Sequence, residues 1–109
     1  MIVSDKNISD ALAYLAIDPH PLALARKYVV DAENKTKLIF ADHFRHMDGS
    51  VKERESQVEC LDEYQAAKSE EADAILDLER HKARSRAAEM LIEVWRSENA
   101  NVRAAERVR

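Results

Sequence analysis

A chain of 109 residues is one domain's length, and with 46% apolar, 35% charged and only 6% aromatic side chains it has the makeup of long helices and coiled coils. A net charge of −4 argues against a general phosphate binder, and a single cysteine, Cys60, excludes an intrachain disulfide and points to a reducing compartment. No apolar run approaches the ~20 residues of a membrane span, and the opening residues lack a basic-then-apolar signal pattern, so cytoplasm is the expected location.

The elements in chain order are all helical. A short first helix is expected over 7–17, capped by Asn7 or Ser4, with Ile8, Ala11, Leu12, Leu15 and Ala16 at helical spacing. Pro19 and Pro21 force an extended turn after it. The second helix is predicted over 21–47, because Pro21 suits a first turn and Leu22, Ala25, Val29, Ala32, Thr36 and Ile39 alternate three and four apart. Gly49, the single glycine, is placed as its C-terminal cap, and Ser50 with Glu53 three residues on forms a capping box for the next helix.

From Val51 to Arg109 there is neither glycine nor proline, which predicts one long helix over 50–98 followed by a frayed tail over 99–109. Its early seam reads Val58, Leu61, Tyr64, Ala72, Ile75 and Leu76, and Cys60 beside it is expected to be a small core residue. The short Asp48-Gly49-Ser50 corner predicts an all-α fold in which helices two and three form an antiparallel hairpin with an extended, coiled-coil-like C-terminal helix. Helix two reaches along only about half of helix three, so roughly 30 residues, or ~45 Å, are expected to run beyond it. Either a second subunit covers that stretch or a bend near residues 79–82 folds it back, and the absence of helix breakers there favours the subunit. The expected seam is Ala83, Ala87, Met90, Leu91, Val94 and Trp95, and the expected assembly is a homo-oligomer, a dimer in the first instance.

Charge along this half is segregated. Residues 51–79 carry ten acidic and three basic side chains, whereas residues 80–109 carry eight basic and four acidic ones. Two copies crossing near 79–82 in antiparallel fashion would set each acidic block against a basic one, whereas a parallel pair would stack like charges.

Three clusters bear on chemistry. Asp42, His43 and His46, with Asp48 nearby, resemble metal ligands, but histidines at a helix end are favoured by the dipole alone, and a surface role is the simpler reading. Arg80, Lys82, Arg84 and Arg86 could contact phosphates, with Trp95 and Arg96 as a stacking surface. A solvated or salt-bridged face is the favoured reading. Glu70, Glu71, Asp73, Asp77 and Glu79 lie along an exposed helix, which supplies no dry pocket for acid–base work. With no glycine-rich phosphate loop, nucleophile elbow or zinc-spaced cysteines, no catalytic residue, metal or cofactor is assigned and no enzyme is expected.

Gly49-Ser50-Val51-Lys52-Glu53-Arg54-Glu55, then Glu63-Tyr64, Ile92-Glu93-Val94-Trp95-Arg96-Ser97 with Ala100, and Ala32-Glu33-Asn34-Lys35 resemble stretches of small all-helical proteins encoded by bacteriophages and prophages. Such proteins are often encoded near recombination genes, such as those for annealing proteins and exonucleases. The resemblance implies an accessory role in phage DNA metabolism and carries over no functional residue. The leading expectation is thus a non-enzymatic helical oligomer that meets a phage or host protein. The rivals are a nucleic-acid binder using residues 80–86 with Arg103, Arg107 and Arg109, and an inhibitor whose acidic 53–79 face imitates DNA.

Overall fold

The computed structural model describes residues 3–108, and every element in it is a helix: α1 (Asp5–Leu15), α2 (Pro21–Phe44), α3 (Val51–Glu59) and α4 (Asp62–Val108). The chain divides into two compact units, a terminal unit formed by Met1–Leu22 with Arg80–Arg109 and a central unit formed by Ala23–Glu79.

In the terminal unit, α1 starts two residues earlier than expected because Ser4, not Asn7, is its cap. The Ser4 hydroxyl accepts from the Asn7 backbone N–H at 3.1 Å. Ile8, Ala11 and Tyr14 form the buried face of α1. Ala11 and Tyr14 pack against Ala88 of α4, with Leu15 and Ile92 at the edges. The alanines leave little side-chain bulk between the helices, and the contact is built around the one large side chain, Tyr14. Its hydroxyl shares a 3.5 Å hydrogen bond with the buried Ser85 hydroxyl, and its ring carries the Arg84 guanidinium 4.1 Å from the centroid. His20 meets the same ring edge-on, with centroids 4.9 Å apart, and its Nδ1 accepts from the Leu22 N–H at 3.1 Å. The Asp18–Pro19 peptide is cis.

In the central unit, Ala25, Val29 and Thr36 are the buried residues of α2, as its spacing predicts. The helix ends at Phe44, three residues short of expectation. His46 and Met47 then bond to carbonyls three residues back, the tightened ending of a helix terminus. Gly49 follows at φ +117°, and the Ser50 hydroxyl caps α3 by accepting from the Glu53 N–H at 3.2 Å.

The long helix expected over 50–98 is interrupted. Cys60 and Leu61 leave it through bonds to Ser56 and Val58, and α4 begins at Asp62. Neither glycine nor proline marks the break. Asp62 and Glu63 favour a new N-terminus through the helix dipole, and the Gln65 amide reaches back to the Glu59 carbonyl at 2.6 Å, satisfying the end of α3. The corner buries Val58 completely and exposes Cys60, which is therefore not the core residue expected. Beyond Tyr64 the inward side of α4 continues through Ala67, Glu71, Ala74 and Leu78, while Ala72, Ile75 and Leu76 of the expected seam are exposed. At the far end, residues 99–108 are helical rather than frayed, in keeping with the strong helix formers Ala100, Arg103, Ala104, Ala105, Glu106 and Arg107.

Candidate interaction surface

The helix α4 is the scaffold of the terminal unit, and its burial pattern sorts the residues singled out by sequence into two groups. Ser85 and Ala88 are buried and Ile92 and Trp95 half-buried, a three-and-four spacing that marks the side taken up by α1 and its surroundings. Ala83, Ala87, Met90 and Val94 repeat with the same spacing on a different side, and all four are exposed, Met90 at 61% and Val94 at 41%. Leu91 lies between the two groups and is half-buried. Thus α1 covers part of α4 but not the apolar row. Ala87, Met90, Leu91 and Val94 line a shallow hollow of about 410 Å³ with no polar wall. Beside it a groove of about 240 Å³ runs between α1 and α4, rimmed by Asn7, Asp10 and Arg84.

The basic residues do not form one stripe. At 3.6 residues per turn, Arg80 and Arg84 share one side of α4, and Lys82 and Arg86 share a side well over a quarter-turn away. Arg84 is engaged with the Tyr14 ring, and Arg80 and Arg86 are exposed. Arg103 and Arg107 stand four apart on one side of the last turns, flanking a hollow of about 310 Å³ with Ala100 and Ala104. Arg109 lies outside the described residues.

The other clusters have local occupations within the central unit. His43 Nε2 lies 2.7 Å from Glu63 Oε2, and His46 Nδ1 donates to the Asp42 carbonyl at 2.8 Å. Asp42 in turn pairs with Arg45 at 2.6 Å. The two histidines are thus held by different partners, and among the described residues no three histidine, cysteine, aspartate or glutamate side chains are arranged to hold a metal ion. A groove of about 480 Å³ lies between α2 and α4 and includes Lys37, Phe40, Tyr64, Lys68 and Glu71. Of its two carboxylates, Glu33 and Glu71, the second is already occupied. Glu71 accepts from the buried Thr36 hydroxyl at 3.1 Å and pairs with Lys68 at 3.6 Å. Lys35 and Glu70 add an exposed pair at 2.9 Å, which contributes little to stability.

Two further contacts have no counterpart in the expectations from sequence. Arg54 donates to the Phe44 carbonyl from Nε at 3.2 Å and from an Nη at 2.8 Å, while its guanidinium stacks 4.0 Å from the centroid of the Phe44 ring. It closes the C-terminus of α2 from ten residues away, and only the placement of a long cation just after the corner hints at it. The second is the Tyr14–Arg84–Ser85 contact, whose residues lie some seventy positions apart.

Among the described residues no helix is long and apolar enough to cross a membrane. The chain matches no protein-family model, no curated protein and no solved structure.

Proposed function

We propose that the protein is a non-enzymatic helical interaction protein that works as a homo-oligomer, a dimer in the first instance, in the cytoplasm. The observation that carries this reading is the exposed row Ala83, Ala87, Met90 and Val94, with a hollow lined only by apolar side chains at its centre. A continuous apolar hollow flanked by charges is the usual mark of a surface that meets another protein. The resemblance to small phage-encoded helical proteins supports an accessory role in phage DNA metabolism, with a phage or host protein as the wider partner. Within the central unit, the contacts of residues 35, 36, 40 and 43 with residues 70, 71, 64 and 63 support reading α2 and the start of α4 as an antiparallel pair.

Light scattering coupled to size exclusion tests the proposal. The protein should elute as a dimer at tens of micromolar, and Met90→Glu should yield monomers of unchanged helicity, because a charge would then occupy the apolar hollow. A wild-type monomer at that concentration overturns the reading.

A second reading, direct binding of nucleic acid, draws on the exposed Arg103 and Arg107, which share one side of α4, together with Arg80 and Arg86. It predicts affinity for short DNA that falls steeply with salt and drops when Arg103 and Arg107 are replaced together by glutamine. Binding that persists unchanged in that variant excludes this row.

A further inference from the structure

Resting on that reading, we infer that the partner on the apolar row of α4 is the same row of a second copy, running antiparallel, with its centre between Ala87 and Met90. The row consists of two small residues followed by two larger ones, Ala83 and Ala87, then Met90 and Val94. In a parallel pair each residue meets itself, giving two alanine layers that leave voids and two crowded layers of Met90 and Val94. In the antiparallel register Ala83 lies opposite Val94 and Ala87 opposite Met90, so every layer combines a small side chain with a large one.

The charges select the same orientation. Continuing the row by one step toward the N-terminus reaches Arg80, which a parallel pair would set against its own copy. The antiparallel register sets it against Ser97. On the flank of the row, Arg86 of one copy comes beside Glu93 of the other, twice by symmetry. Glu93 already pairs within its chain with Arg96 at 3.3 Å, but both side chains are about 70% exposed and the second carboxylate oxygen is not used in that pair. A crossing centred on residues 79–82, as the charge blocks alone would suggest, puts Ala87 against Ala74 and Ala83 against Leu78, which belong to the half-buried inward side of α4, so that the exposed rows of the two copies would not meet.

The test uses the full-length chain with Cys60→Ala, since Cys60 is exposed and would cross-link on its own. Ala87→Cys and Met90→Cys are prepared separately, their mass is measured by light scattering under reduction, and the two are mixed and oxidised. The expected result is dimers in both, with the mixed disulfide forming well ahead of either homotypic one. In the same background Arg86→Glu should weaken dimerisation about three- to tenfold, and adding Glu93→Arg should restore it. Dimers in which Ala87→Cys cross-links to itself as readily as to Met90→Cys overturn the antiparallel register and leave the oligomer standing. Monomers throughout, in proteins that keep their helicity, remove both.

Discussion

Replacing Tyr14 by alanine should release α1 from α4 while leaving the central unit folded. Tyr14 is 5% exposed and is the one large residue in the contact of Ala11, Tyr14 and Ala88. An aromatic side chain buries about 200 Å², which at ~25 cal/mol per Å² is about 5 kcal/mol against a fully extended chain. A realistic unfolded ensemble lowers this to about 3–4 kcal/mol, in line with the cost of large-to-alanine changes in other cores. An isolated helix of 11 residues is marginal in water, so α1 without this anchor has little to keep it formed. Hydrogen exchange is the suitable assay. In Tyr14→Ala the amides of Asp5–Leu15 should exchange about two orders of magnitude faster, while those of α2 around Val29 and Thr36 keep their protection. Tyr14→Phe provides the control. It keeps the ring and the contact with Arg84 and loses only a long 3.5 Å hydrogen bond, so it should cost no more than about 0.5–1 kcal/mol. Protection of α1 that falls less than about tenfold in the alanine variant, or a phenylalanine variant as damaged as the alanine one, would refute the reasoning.

Other expectations concern the central unit and are read by urea denaturation. Gly49→Ala places a Cβ 2.8 Å from Glu53 Oε2 at a backbone angle of φ +117°, and should cost about 1 kcal/mol or more; Ser50→Ala should cost ~1 kcal/mol through the lost cap. Unchanged midpoints in both would mean that the corner is not closed as described. Arg54→Ala should destabilise by about 1–2 kcal/mol and Arg54→Lys should recover less than half, because a lysine cannot form the fork onto the Phe44 carbonyl. Thr36→Val keeps the buried volume but takes the hydroxyl from Glu71, at about 1–2 kcal/mol, and a Thr36→Val, Glu71→Met double variant should regain most of that. A double variant weaker than both single ones would show that the pair is not the unit that matters.

The helical class, the caps at Ser4 and Ser50 and the inward side of α2 are legible in the sequence because each rests on local chemistry: a hydroxyl before a helix, or apolar residues three and four apart. The division of α4 is less legible. Its inward side passes through Glu71 and Ser85, polar residues made compatible with burial by Thr36 and Tyr14, which are distant in sequence. A search for apolar periodicity passes over them and settles on Ala83, Ala87, Met90 and Val94, which the fold leaves exposed. A signal was present nonetheless. Tyr64, Ala67 and Glu71, and later Ser85, Ala88, Ile92 and Trp95, keep unbroken three-and-four spacing if Glu71 and Ser85 are counted as buriable. The break at Cys60–Leu61 is marked in the sequence only by the acidic pair Asp62 and Glu63, with no helix breaker, and the Gln65 side chain and the burial of Val58 accompany it.

Among the described residues four of the nine buried apolar ones are alanines, Ala11, Ala25, Ala67 and Ala88, and the largest fully buried side chain is that of Val58. Helices brought together over alanine dehydrate little hydrocarbon when they pack, and the heat capacity of unfolding follows dehydrated hydrocarbon. An ordinary domain of this length absorbs about 1.3–1.6 kcal/mol/K on unfolding, and calorimetry on this protein should find a clearly smaller step. Its stability would then vary only gently with temperature: a broad melting transition, a shallow maximum and little tendency to unfold in the cold.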